Sequence, residues 1–161
     1  MIFRQANKEE RPLLFQEGYK EWSKNRTFEQ YCIDNGKEDA IGKRYVIEKD
    51  GEIVSSAIII RLRNINGKDS YGFGSIVTSE KHRGKGYGIE LIKNCINLIY
   101  TDNTIIFLYS DINTSYYEKL SFRILPNILQ KYEKSVCMAY CKVDIWDELL
   151  NAKIDVIPNY F

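Results

Sequence analysis

The residues of this chain whose types and spacing most directly permit chemistry are the glycines of His82-Arg83-Gly84-Lys85-Gly86-Tyr87-Gly88. Glycines at alternate positions allow backbone angles and close approach that side chains would block. Successive N–H groups can then converge on an anion at the positive end of a helix dipole. Arg83 and Lys85 add charge where a phosphate would sit. A solvated basic turn is the plainer alternative, but it explains poorly why three glycines stand directly before a strong helix pattern. Two familiar phosphate motifs are excluded by spelling. A P-loop needs Gly-Lys followed by Ser or Thr, whereas Gly36-Lys37, Gly42-Lys43, Gly67-Lys68 and Gly84-Lys85 precede Glu, Arg, Asp and Gly. A dinucleotide fingerprint places its third glycine one residue later, at a first βα turn.

The segments around the loop predict its setting. Arg11 to Trp22 carries Leu14, Phe15, Gly18, Tyr19 and Trp22 at three- and four-residue spacings, a first helix with Pro12 at its start. Phe28 to Ile33 reads as a shorter second helix. Arg44–Glu48 and Glu52–Arg63 are β-branched runs around Asp50-Gly51, a tight-hairpin dipeptide that recurs at Asn66-Gly67. Asp69 to Thr78 completes a three-stranded meander. The next helix keeps Glu90, Lys93, Asn94 and Asn97 as one polar stripe, with Ile89, Leu91, Ile92, Cys95, Ile96, Leu98 and Ile99 covering the rest.

Ile105 to Tyr109 is a buried strand in parallel with the third meander strand through a right-handed crossover. A short helix from Thr114 to Leu120 and a strand from Ser135 to Val143 follow. The order α-α-β-β-β-α-β-α-β, with a further strand at the N-terminus, describes an α/β or α+β sandwich with helices on both faces. No linker or repeat interrupts it, so residues 1–161 read as a single domain.

Composition narrows the function classes. With 23 Lys and Arg against 22 Asp and Glu, the formal net charge of +1 exerts no global pull on nucleic acid or an anionic membrane. The N-terminus turns polar by Glu9 and Glu10 and lacks a signal-peptide core, and purely apolar runs such as Ile105 to Tyr109 are far too short to span a bilayer. A cytoplasmic location is expected. Cys32, Cys95, Cys137 and Cys141 form no C-x-x-C pair and His82 is the one histidine, which excludes a zinc site needing several histidines; no metal is expected. Cys95, Cys137 and Cys141 fall on apolar patterns, where cysteine behaves as a small hydrophobe.

The loop and its flanks resemble the GNAT superfamily of acetyl-CoA-dependent N-acetyltransferases. Its pyrophosphate motif, [Q/R]-x-x-G-x-[G/A], is matched by Arg83, Gly86 and Gly88, and Ser75-Ile76-Val77-Thr78 through Ile89-Glu90-Leu91-Ile92 is similar to the family's central motif. Downstream, Tyr116-Tyr117-Glu118-Lys119-Leu120-Ser121-Phe122 looks like the family's Y-E-K-L-G-F signature. The resemblance covers about Arg44 to Leu125. It implies a GNAT-like mixed, mainly antiparallel sheet of six to seven strands, with a splayed parallel pair holding CoA. It further implies that the backbone of Ile76, Val77 and Thr78 binds pantetheine and that one of their N–H groups stabilises the oxyanion, worth roughly 3 kcal/mol. Arg83, Gly84, Lys85, Gly86, Tyr87 and Gly88 would bind the pyrophosphate, and Tyr117 would protonate the departing thiolate. Reference values near 10 for a phenol and 8.5 for a thiol make that transfer uphill by roughly 2 kcal/mol unless the site adjusts them.

Two positions depart from the family pattern. Ser110 stands where an asparagine often contacts CoA, with Asn113 as a substitute candidate, and Ser121 replaces the glycine of the G-F pair. The acceptor implied is a small-molecule or peptide amine, attacked directly, with no covalent enzyme intermediate. Among Asp69, Tyr71, His82 and Asp111, no spacing singles out a base. Tyr19, Trp22, Phe28 and Tyr31 could wall an acceptor site, although their spacing suits core burial. The apolar C-terminal segment, Trp146 to Phe161, could pack on the domain or on a second copy in a homodimer. Two competing readings are a catalytically silent acyl-CoA-binding or regulatory module of the same fold, and a nucleotide-binding protein, which the motif spellings disfavour.

Overall fold

Two Asx-Gly dipeptides bend the middle of the chain back on itself. Asp50 and Gly51 stand at φ +52° and +80°, and Asn66 and Gly67 at +48° and +81°, the paired left-handed residues of a type I′ turn. The first pair joins β2 (Gly42–Lys49) to β3 (Glu52–Arg61). In the computed structural model, which describes residues 1–161, the other strands are β1 (Ile2–Gln5), β4 (Asp69–Thr78), β5 (Thr104–Ser110), β6 (Arg123–Ile124) and β7 (Val136–Tyr140). They form a seven-stranded sheet in the order β1-β2-β3-β4-β5-β7-β6. The β4–β5 pair is parallel, with β1–β2, β2–β3, β5–β7 and β6–β7 antiparallel. The helices are α1 (Arg11–Trp22), α2 (Phe28–Ile41), α3 (Tyr87–Ile99), α4 (Ser115–Glu118) and α5 (Val143–Leu150). The mixed, mainly antiparallel fold class expected from the sequence is the one observed.

The chain divides into two compact units, Met1–Ile60 with Gly74–Cys95, and Arg61–Phe73 with Ile96–Phe161. In the first, α1 buries Leu14, Phe15 and Gly18, and a Cβ at Gly18 would collide with the Tyr31 hydroxyl. Helix α2 opens on Thr27, whose Oγ1 accepts the Gln30 N–H at 3.2 Å. It runs eight residues past Ile33, the end predicted from the sequence, to Ile41. Asn35 and Gly36 are weak helix formers. Tertiary bonds override them: Tyr31, Asn35 and Asp39 recur at four-residue intervals, and Asn35 Oδ1 and Asp39 Oδ1 accept from Arg44 at 2.8 and 2.5 Å.

In the second unit every residue of β5 is buried. The parallel ladder runs from Asp69↔Thr104 to Phe73↔Leu108, while Tyr109 and Ser110 pair on the other side with Cys137 and Val136 of β7. The expected strand Ser135–Val143 is shorter, because the chain turns at Cys141 and Val143 opens α5. That helix was not expected from the sequence. It buries Ile145 and Leu149 in a cluster with Ile105, Phe107, Leu125 and Ile157, so helical spacing serves there where strand alternation would not. The C-terminal segment packs within its own unit: a Cβ on Gly72 would lie 2.6 Å from the Phe161 ring, and Tyr109 donates to the Pro158 carbonyl at 2.5 Å.

Cys95 and Cys137 are core residues, with burial pushing both thiols up to about 12, which removes them as nucleophiles. Cys141 packs partly buried against the cluster. No helix is long and apolar enough to cross a membrane.

Candidate functional site

The C-terminal half of β4 departs from regular strand geometry before the glycine loop begins. Ser75 stands at φ +47°, a left-handed conformation costly for a residue with a Cβ. After it, three successive carbonyls accept from side chains. The Trp22 indole N–H donates to Ile76 O at 3.2 Å, Ser55 Oγ to Val77 O at 2.9 Å, and Arg83 Nε to Thr78 O at 3.3 Å. Ser79 N–H returns the chain to β3 through Val54 O at 3.1 Å. This is backbone held in shape by side-chain donors.

The loop follows a single turn of 3₁₀ helix, Glu80–His82. Gly84 and Gly86 adopt φ +73° and +83°, and nothing lies within 4 Å of where a Cβ would stand on either. The left-handed backbone favours glycine there, and the open space leaves the peptide faces accessible. Gly86 O accepts the Glu90 N–H at 3.0 Å. The amide groups just before Glu90 therefore belong to the first turn of α3, where an α-helix offers no intrahelical acceptor. Gly88 lies inside the helix, so only two of the three glycines supply left-handed geometry.

The side chains of the loop divide by role. Arg83 is half exposed and pairs with Glu21 at the end of α1, and Lys85 Nζ donates to Lys81 O at 3.3 Å. His82 Nε2 lies 3.1 Å from Glu52 Oε2, and that carboxyl, hydrogen-bonded first by Lys81 and then by His82, is held below its usual range. The Tyr87 ring is buried, with Lys49 Nζ 5.6 Å from its centroid. Tyr87 can therefore serve an anion only through its main chain, and Arg83 and Lys85 are the exposed cations of the loop.

In the second unit, Tyr117 sits in α4 and is 5% exposed. Burial pushes its phenol well above the ordinary value, reinforced by Tyr116, Asp111 and Tyr160, so it stays protonated at neutral pH. Its carbonyl accepts from Leu120 N at 2.9 Å and from Phe122 N at 3.2 Å, and between them Ser121 adopts φ +68°. The turn made by glycine in the family motif is thus kept by a serine. Asn113 Oδ1 accepts the Ser115 N–H at 3.0 Å, closing the start of α4, and Ser110 Oγ donates to Ile112 O at 2.8 Å. Asp111 accepts from Ser135 and, at 2.7 Å, from the Tyr160 hydroxyl. No group of three or more His, Cys, Asp or Glu side chains is arranged to hold a metal ion.

A left-handed glycine loop opens a crossover helix on a mixed α/β sheet with one parallel pair. Comparison with known proteins makes the assignment specific. The family model for the acetyltransferase (GNAT) domain matches residues 41–124, and the chain belongs to that family. The structure resembles a histone acetyltransferase HPA2 and related acetyltransferase from Corynebacterium glutamicum, at TM-score 0.67 and 18% identity over 86% of this chain and 94% of that one. A GNAT family acetyltransferase from Brucella melitensis, in complex with acetyl-CoA, matches at TM-score 0.60 and 16% identity over 88% of each chain. A conserved protein of unknown function from Enterococcus faecalis matches at TM-score 0.67 and 16% identity over 77% of this chain, which spans only 32% of its length. No curated protein matches the sequence.

Proposed function

We propose that this protein transfers an acetyl group from acetyl-CoA to a primary amine by direct attack. The observation that carries the reading is the loop from Arg83 to Gly88, whose left-handed Gly84 and Gly86 open onto clear space at the start of α3. Those residues fit a diphosphate: main-chain amides at a helix N-terminus, flanked by the exposed cations Arg83 and Lys85. Acetyl-CoA, when bound, supplies an activated acyl group and a thiolate leaving group. The backbone of Ile76, Val77 and Thr78 would hold the pantetheine, exchanging the Trp22 donor on Ile76 O for a ligand amide. One of their N–H groups donates to the carbonyl oxygen as it gains charge, worth roughly 3 kcal/mol for a well-placed donor. Tyr117, kept protonated by burial, gives its proton to the departing sulfur. Its raised value increases the uphill cost of that transfer, which a thiolate formed out of water offsets by becoming a stronger base. We place the reaction in the cytoplasm.

Isothermal titration with CoA and release of free thiol from acetyl-CoA, with spermidine, an aminoglycoside and a peptide with a free N-terminus as acceptors, test the reading. CoA binding with turnover on an amine is the expected result. CoA binding without turnover would make the protein a silent acyl-CoA-binding module, and binding of ATP or NAD instead would overturn the assignment.

A further inference from the structure

Beside the left-handed residue of β4 lies a carboxylate to which neither the family motifs nor the loop gives a role. Glu38, on α2, places Oε2 3.2 Å from Ser75 Oγ. The peptide joining Ser75 to Ile76 carries the first of the N–H groups offered to the acetyl oxygen. We infer that Glu38 is the catalytic base, accepting the proton of the acceptor's ammonium group as its nitrogen attacks the thioester. This inference rests on the acetyltransferase reading above and adds to it the residue that receives the amine.

The surroundings of Glu38 distinguish it from the structural ion pairs nearby. Arg44 is buried and spends its close contacts elsewhere: Nε on Asp39 at 2.5 Å and an NH2 nitrogen on Asn35 Oδ1 at 2.8 Å. Asp39 also takes Arg11 at 2.6 Å. Glu38 meets Arg44 only at 3.8 Å, and its side chain keeps 27% of its surface open to solvent. The charged and titratable groups around it are Arg44 from β2, Asp39 and Tyr31 from α2, and Arg26 from the segment before α2. Their charges bear on it in opposite directions, and burial prevails, raising the Glu38 carboxyl above its ordinary value. A carboxylate that is partly desolvated yet reachable favours both a cationic partner and proton uptake.

The proton balance closes. Glu38 takes one proton from the ammonium, and the freed lone pair forms the C–N bond. The C–S bond then breaks, and the sulfur receives a proton from Tyr117. The amide nitrogen sheds its second proton, and the protons held on Glu38 and owed to Tyr117 exchange with water. The net products are an N-acetyl amine, CoA and one proton. Ser75 tunes the base, because its hydroxyl hydrogen bond stabilises the ionised carboxylate.

Steady-state kinetics from pH 5 to 10, with spermidine and a lysine peptide as acceptors, test the assignment alongside CoA titration. Glu38→Gln is expected to lower kcat by about 10²-fold at neutral pH with CoA affinity and Tm unchanged. Its acidic limb of kcat/KM should move from the carboxyl's range to the ammonium's, so that activity recovers toward wild type near pH 10, where the free amine needs no base. Glu38→Asp should restore part of the rate. In Ser75→Gly, which keeps the left-handed backbone and deletes the hydroxyl, the acidic limb should move up by about one pH unit or less. Wild-type activity of Glu38→Gln across the range, a loss confined to KM, or an unmoved limb in Ser75→Gly would each overturn the base role while leaving the acetyltransferase reading intact. Wild-type protein that binds no CoA would overturn that reading and the base together.

Discussion

The glycine loop and the Tyr117 turn both depend on left-handed backbone, and they reach it by different means. In the loop, Gly84 and Gly86 hold φ +73° and +83° with open space where a Cβ would be. In the turn after α4, Ser121 holds φ +68° with its Cβ in place, and the bonds to Tyr117 O still form. Where only a change of chain direction is needed, a side chain costs strain, typically 1–2 kcal/mol. Where a ligand must approach the peptide itself, a side chain also blocks the approach. The proposed phosphate site is therefore the less tolerant of the two.

Substitutions can break or sharpen that contrast. The largest effect is expected for Gly86→Val, which combines left-handed strain with a branched side chain over the anion site. CoA binding should fall below detection by isothermal titration while the protein stays folded by circular dichroism. Tyr117→Phe should lower kcat by about 10- to 100-fold with CoA affinity unchanged, measured by thiol release; unchanged turnover removes Tyr117 as the proton donor. Arg83→Ala should weaken CoA by about fivefold, an effect that shrinks at high salt because the contact is exposed. The smallest effect belongs to Ser121→Gly, which relieves the left-handed serine. It should stabilise the fold by about 1 kcal/mol, raising Tm by about 2–4 °C. If Ser121→Gly also changes CoA affinity, the turn is more than a structural device and the contrast fails.

Much of the site was legible because it is built from main chain and short-range signals. The Asp50-Gly51 and Asn66-Gly67 turns, the bounds of β4 and the loop leading into α3 follow from residues adjacent in sequence. What escaped sequence reading depends on distant partners. Helix α2 extends to Ile41 because Asn35 and Asp39 bind Arg44, which no periodicity of apolar residues reveals. Helix α5 was hidden because Val143 continues an apolar run whose strand ends at Tyr140. Chain order brings Asp69, Tyr71, His82 and Asp111 near the cleft as candidate bases and gives no sign of Glu38. A charged residue in an apparent loop carries no local mark of the strand it will touch.

By itself, the sequence determined the glycine spacing, the order of elements from α1 to β5 and the family motifs, because turn and helix-start preferences act over a few residues. Tertiary structure alone decided that Ser75 would be left-handed, that Trp22 and Arg83 would occupy carbonyls of β4, and that Glu38 would lie against Ser75. Burial and electrostatic environment are set by groups far apart along the chain, and a carboxylate acquires its proton affinity only once those groups have assembled around it.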